Sequence, residues 1–290
     1  MTEDAPPARG PLITGLSPSR AADFMQCPLL YRFRVVDRLP ERPSAAMVRG
    51  TLVHAVLERL FDLPAPERTP ERVGALLEPE WERVRGEDPA HAELFEGPGD
   101  EKAWLAEAGR LLDRYFTMED PTRLEPRRRE LFLQADIGEG LKLRGYIDRL
   151  DVAATGEVRV VDYKTGRAPR PEFESSAVFQ MRFYALMLWR RHGRIPRLLQ
   201  LMYLGDGEIL RYSPDEADLL ATERKVRAVW QAIRQAADSG DWRPRRSRLC
   251  SWCEHQAHCP EFGGSPPPLP DAVLLPVVDA SGPPAAPEPA

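Results

Sequence analysis

The chain lacks any apolar run long enough to span a bilayer, which excludes a transmembrane helix from the reading. Its opening, MTEDAPPARG, has none of the apolar core of a secretory signal. A reducing, cytoplasmic setting is therefore expected, and the four cysteines are better suited to metal ligation than to disulfides. No G-x-x-x-x-G-K-[ST] occurs, so the polypeptide carries no phosphate loop for an ATP-driven motor. Gly138, Gly140 and Gly145 do not fit G-x-G-x-x-G and fall between strand patterns, and no G-x-S-x-G elbow is present. Internal repeats are absent as well. With 290 residues, 42% of them hydrophobic, there is material for one sizeable core with insertions or for two small domains.

What is present begins with LKLRGYIDRLD, residues 141–151. Leu141, Leu143, Gly145 and Ile147 alternate with Lys142, Arg144, Tyr146 and Asp148, the period of a half-buried strand. Asp148 therefore leaves the face opposite the apolar one. A turn-prone AATGE leads into VRVVDYKTG, residues 158–166, a β-branched run ending in glycine that predicts a second strand paired to the first. Asp162 and Lys164 share one of its faces, and Tyr163 points to the other. Two neighbouring strands thus converge two carboxylates and one ammonium on a single spot. Crowded carboxylates repel unless a cation lies between them, and hard oxygen ligands suit Mg²⁺ or Mn²⁺. Such an ion acidifies bound water and draws charge off a phosphoryl oxygen, while Lys164 is placed to orient a nucleophile or neutralise charge on a phosphate. An isolated D-x-K is also the pattern of a solvated Asp/Lys pair on a surface hairpin, so its company decides.

That company resembles the RecB-type exonucleases of the PD-(D/E)xK nuclease superfamily, including the CRISPR-associated relatives that carry an iron–sulfur cluster. GYIDRLD followed by VVDYKTG is close to their paired motifs. Upstream, RGTLVHAVLE, residues 49–58, is similar to the family's helix with a metal-binding histidine, which puts His54 in the site. On its own pattern, with Leu52, Val53, Val56, Leu57 and Leu60 around it, His54 also reads as a packed core histidine. Downstream, QMRFYALML, residues 180–188, is similar to the Q-x-x-x-Y motif, with Gln180 and Tyr184 four apart on one helix face. The resemblance runs in motif order from about Ser17 to Pro260 and departs from the pattern at Ile147, which stands where a proline can precede the first Asp.

The resemblance implies an α/β fold: a restriction-endonuclease-like core with a mixed central β-sheet flanked by helices, a helical insertion at about 65–120, and a C-terminal Cys-rich metal-cluster segment. It implies His54, Asp148, Asp162 and the Tyr163 backbone carbonyl as ligands of one or two Mg²⁺ or Mn²⁺ ions. Catalytic roles fall to Asp148, Asp162, Lys164, Gln180 and Tyr184. The activity it implies is that of a metal-dependent DNA exonuclease acting on single strands, in repair, recombination or related DNA processing. Glu130, at the start of the strand expected over 130–137, reads as a carboxylate backing the ligands.

Cys250, Cys253 and Cys259 form C-x₂-C-x₅-C, and Cys27 stands more than two hundred residues earlier. In the family resembled, this layout holds a [4Fe–4S] cluster whose first ligand comes from the N-terminal side; four thiolates are the usual complement. Such a staple would close a very long loop. Zn²⁺ is the alternative, because His255 and His258 lie in the same segment and C-x₂-C with His or Cys is a zinc pattern.

The formal net charge is −5, although affinity for nucleic acid comes from neutralised phosphates. Distribution matters more than the sum. Arginine far outnumbers lysine and gathers at 127–129, at Arg190, Arg191, Arg194 and Arg197, and at Arg243, Arg245, Arg246 and Arg248. Trp242 and Trp252 lie near the last group, and aromatics interleaved with arginine can stack bases of a single strand; the same composition describes a solvated basic loop. Single-stranded DNA is the expected partner. Two further readings stay open: a binding subunit working with helicase or CRISPR-adaptation partner proteins, and a scaffold with a dead site, against which the intact Asp148, Asp162 and Lys164 stand.

The expected organisation is a disordered N-terminus over 1–15, one nuclease domain over 16–262 and a disordered Pro/Ala-rich tail over 263–290. Within the domain, Ser17 and Pro18 open a helix that runs into PLLYRFRVV, with Cys27 following it. Strands are expected at about 130–137, 141–151 and 157–164, with a hairpin around Gly205, Asp206 and Gly207 and a last helix from Pro214 to about Asp238.

Overall fold

The helix opened by Ser17 and Pro18 ends before Cys27, as expected, and the chain enters PLLYRFRVV through a break. Ser17 accepts from Arg20 N at 3.3 Å and caps α1 (Pro18–Gln26). Cys27 is extended, with φ −160° and ψ 114°, because the residue before a proline is kept out of the helical region. Pro28 restarts the chain as α2 (Pro28–Tyr31), which loosens into a π-turn over Arg32–Val36. The break sets Cys27 between two helices. Ser44 caps α3 (Ala45–Leu60) and Thr69 caps α4 (Pro70–Glu87) in the same way. With α5 (Pro98–Met118), α4 forms the expected helical insertion. The strands β1 (Arg128–Asp136), β2 (Lys142–Val152) and β3 (Val158–Lys164) follow, close to their expected bounds. Then come α6 (Glu174–His192), β4 (Leu198–Tyr203), β5 (Glu208–Tyr212) and α7 (Glu216–Ser239). This computed structural model describes residues 13, 15–170 and 174–270. Most of the two segments expected to be disordered, residues 1–12, 14 and 271–290, lies outside the described residues.

The five strands lie in the order β1-β2-β3-β4-β5. β2 and β3 pair antiparallel, as do β4 and β5, while β3 and β4 run parallel and use α6 as the crossover that parallel neighbours need. The sheet is therefore mixed, as the resemblance implied. Its register positions the chemistry. The β2–β3 ladder runs from Val152↔Val158 to Arg149↔Val161 and stops there, whereas β3 stays on β4 through Lys164↔Tyr203. Beyond Val161 the two inner strands splay. On the far side, Gly205 N donates to Gly166 O at 3.0 Å, and a Cβ at Gly205 would stand 2.4 Å from that oxygen, so the loop after β3 closes only over glycine.

Contacts divide the chain into two compact units. Residues 40–133 and 145–223 make one. Here α3, α4 and α5 pack Leu52, Val56, Trp81, Leu112 and Tyr115 into a core shared with Val161 and Tyr163 of β3 and Met202 of β4. Full burial of each such side chain contributes about 1.5–3 kcal/mol, so the inserted helices are part of what holds β3 in place. The described residues up to 39, with 134–144 and 224–270, make the other unit. In it Tyr31 stacks on Trp242 with ring centroids 6.0 Å apart, Phe24 meets both rings edge-on, and the Pro267 carbonyl accepts from Arg32.

Candidate active site

The site forms where β2 and β3 part. Alternate residues of a strand turn N–H and C=O to the same side, so when β2 leaves the ladder the Tyr163 peptide loses its partner strand. Side chains take over both groups. Tyr163 N donates to Asp148 Oδ2 at 2.7 Å, and the Tyr163 carbonyl lies 3.0 Å from His54 Nε2. With Nε2–H donating to that carbonyl, Nδ1 is the ring nitrogen turned to the carboxylates, 3.5 Å from Asp148 Oδ2 and 3.8 Å from Glu130 Oε1. One atom each from His54, Glu130 and Asp148 lies within 4.8 Å of the others, the grouping among the described residues that is dense enough to share an ion. An imidazole with two carboxylates suits Mn²⁺ or Mg²⁺, so the residues present fit a divalent metal. The Tyr163 carbonyl here orients His54, the role that outer hydrogen bonds play for metal-binding histidines.

Asp162 stands just outside that trio in a closed ring of polar contacts. It is only 2% exposed. Oδ2 lies 2.7 Å from Lys164 Nζ, and Oδ1 accepts from Gln180 Nε2 at 3.1 Å. Lys164 Nζ in turn donates to Gln180 Oε1 at 3.0 Å, and Gln180 Nε2 also lies 3.0 Å from the Tyr184 hydroxyl. The four-residue spacing on α6 thus serves to fix the lysine.

Three carboxylates meet one ammonium and one imidazole here, and the titrations reflect the surplus of negative charge. Burial, then the charge of Asp162, pushes Asp148 above the usual carboxylate range, with His54 opposing. For His54, burial works downward but is outweighed by the charge of Asp148 and the hydrogen bond with Glu130, which raise it to about 9. Glu130 was legible in the sequence only as a supporting carboxylate. Its backbone sits at φ +42°, in the left-handed region rare for a residue with a Cβ. Such strain collects at functional sites.

Behind the site lies a residue the sequence did not single out. Arg149, one position after Asp148, is fully buried. Its guanidinium pairs with both oxygens of Glu119, lies 3.2 Å from Asp151 Oδ1 and donates to the Tyr163 hydroxyl at 2.6 Å. The side chain of Tyr163 is thereby tethered at one end while its peptide holds Asp148 and His54 at the other.

Comparison with known proteins assigns the family. A family model for the PD-(D/E)XK nuclease superfamily matches residues 15–260. The chain belongs to this superfamily. Among curated relatives of this PD-(D/E)XK protein, the "Gene 69 protein" of Mycobacterium phage D29 is 25% identical over 272 residues, spanning 85% of the chain and 96% of the relative. Its counterpart from Mycobacterium phage L5 is 24% identical over 285 residues with the same coverage. A crystal structure from Eubacterium rectale named "Putative exonuclease" superposes with a TM-score of 0.57 at 16% identity, covering 83% of this chain and 88% of that one, a likeness of fold.

The other unit of this PD-(D/E)XK protein gathers the cysteines. Cys27, Cys250, Cys253 and Cys259 line one narrow cavity with Leu29, Leu30 and Phe33. Burial raises the thiols of Cys253 and Cys259, and the other cysteines raise them further. Two backbone N–H groups already point at sulfur: Arg245 N lies 3.3 Å from Cys27 Sγ and Ser247 N 3.2 Å from Cys250 Sγ. The His255 and His258 rings pack edge-on against Phe33. Among the described residues no three cysteine sulfurs come within 4.8 Å of one another. Arg243, Arg245, Arg246 and Arg248 are all exposed; Arg243 pairs with Asp241 at 2.7 Å, and Arg245 donates to the Met25 carbonyl. Of the two tryptophans expected beside them, Trp252 is 84% exposed, but Trp242 is buried on Tyr31 and offers no face to a base.

Proposed function

We propose that the chain is a metal-dependent nuclease of the RecB type that degrades single-stranded DNA as an exonuclease, with residues 16–262 as the nuclease domain. One observation carries the reading: at the parting of β2 and β3, His54, Glu130 and Asp148 converge, and Asp162 with Lys164 closes the same face. His54, Asp148, Asp162 and the Tyr163 backbone carbonyl, joined by Glu130, would hold one or two Mg²⁺ or Mn²⁺ ions. Bound there, the metal supplies an acidified water and a Lewis acid for the phosphoryl oxygen. Lys164, held by Gln180, carries the positive charge that meets charge growing on the phosphate as water attacks phosphorus in line. Tyr184, through Gln180, keeps that ammonium from swinging away. Arg243, Arg245, Arg246 and Arg248 supply phosphate contacts.

The four cysteines are proposed as ligands of a [4Fe–4S] cluster. Four cysteines lining one cavity match the four thiolates that such a cluster takes, whereas Zn²⁺ could draw on His255 or His258 as well. A cytoplasmic role in DNA processing accords with thiolate ligation.

The test is turnover of a single-stranded oligonucleotide in Mn²⁺ by the wild-type chain and by Asp162→Ala and Lys164→Ala. Each substitution is expected to lower the rate by at least about a hundredfold. Wild-type rates in either variant would falsify the assignment.

A further inference from the structure

We propose that Phe132 and Tyr146 form a platform on which a nucleobase of the bound strand stacks, one nucleotide step from the reacting phosphate. Both rings are large and apolar, yet they are 51% and 57% exposed. They touch each other across β1 and β2, with centroids 5.1 Å apart and planes inclined by 50°. Mutual contact explains one side of each ring and leaves the other in water.

Their place in the strands gives the pair its meaning. Tyr146 precedes Asp148 by two residues and so projects from the same face of β2, displaced by about 6.6 Å along the strand. Phe132 stands two residues beyond Glu130 on β1. β1 and β2 run antiparallel, with Arg127 N donating to Leu150 O and Ile137 N to Leu141 O, so Phe132, two after Glu130, and Tyr146, two before Asp148, lie in the same direction along the sheet. A strand whose phosphate lies at His54, Glu130 and Asp148 brings its next base over these rings. Base–aromatic stacking is insensitive to sequence because every base has a π-face, which fits a nuclease that takes single strands of any sequence. Both rings ride on paired strands and need no ordering before they bind.

The inference rests on the nuclease reading, and the two can fail separately. The full chain is mixed, in Ca²⁺ to suppress cleavage, with a single-stranded oligonucleotide carrying 2-aminopurine, and in parallel with an abasic oligonucleotide. Wild-type protein is expected to quench the 2-aminopurine on binding. Phe132→Ala/Tyr146→Ala should abolish the quench and weaken binding about 5- to 150-fold, while leaving abasic binding within about twofold; Phe132→Tyr/Tyr146→Phe should retain both. Quenching that survives the alanine changes, equal losses on the abasic strand, or a second copy of the chain found covering the rings would each overturn the platform. Quenching without any hydrolysis in Mn²⁺ sinks the nuclease reading and leaves the platform; hydrolysis without quenching does the reverse.

Discussion

Arg149→Met tests the buried charge on which the site leans. The guanidinium is fully enclosed, with Nη2 donating to Glu119 Oε2 at 3.0 Å and Nη1 to the Tyr163 hydroxyl at 2.6 Å. Methionine replaces much of the stem but none of the donors. Asp151 keeps Arg159, whose Nη2 is 2.7 Å away, so Glu119 is the carboxylate left without its cation. Breaking a buried pair from one side costs about 3–5 kcal/mol. For a unit of this size that lowers its unfolding transition by on the order of 6–20 °C, read by calorimetry at pH 7. Adding Glu119→Leu should recover most of the loss, since replacing both partners by apolar groups is often neutral. Mn²⁺ affinity should fall in the single variant, because Tyr163 loses the tether that steadies the peptide holding Asp148 and His54. A transition within about 2 °C of wild type would refute the argument.

Glu130→Gln should weaken Mn²⁺ binding by at least about tenfold in titration calorimetry, the loss that removing even a carboxylate backing the ligands brings; unchanged affinity would remove Glu130 from the metal set. His54, raised to about 9, and Asp148, also raised, both hold protons that a divalent ion must displace. Mn²⁺ affinity should therefore climb from pH 6 to pH 9 with proton release that depends on buffer, and a flat profile would contradict the ligand set. Gly205→Ala forces a methyl onto the Gly166 carbonyl; it should cost about 1–3 kcal/mol and displace the loop after Lys164, seen as lower thermal stability together with lower turnover. Cys27→Ser should lower the iron content of anaerobically purified protein by more than half, and zinc at one equivalent with no iron would favour the alternative metal.

Spacing places part of the proposed site, because period-two alternation fixes which side Asp148, Asp162 and Lys164 take; His54, Gln180 and Tyr184 enter through the family resemblance. What could not be read is where the ladder ends. Nothing in GYIDRLD says that pairing stops at Arg149, yet that stop releases the Tyr163 peptide to Asp148 and His54. Glu130 was undervalued for a similar reason: a left-handed backbone at glutamate leaves no mark in sequence. Arg149 reads as a polar neighbour of Asp148, and only packing shows it enclosed. The end of the helix after Ser17 is legible, because the restriction on the residue before Pro28 keeps Cys27 extended. Trp242 looked like a base platform because tryptophan beside arginine has that composition whether its face is open or covered.

The ammonium of Lys164 against Asp162, with Gln180 bridging them, gives the chain a resident counterion. A reaction centre built this way need not wait for a dissolved cation before it folds. Chelators should silence the protein while leaving its architecture standing, and re-addition of the ion should restore function without refolding. On the proposed reading, the lysine that meets the phosphate when metal is bound holds the carboxylate in place when it is not.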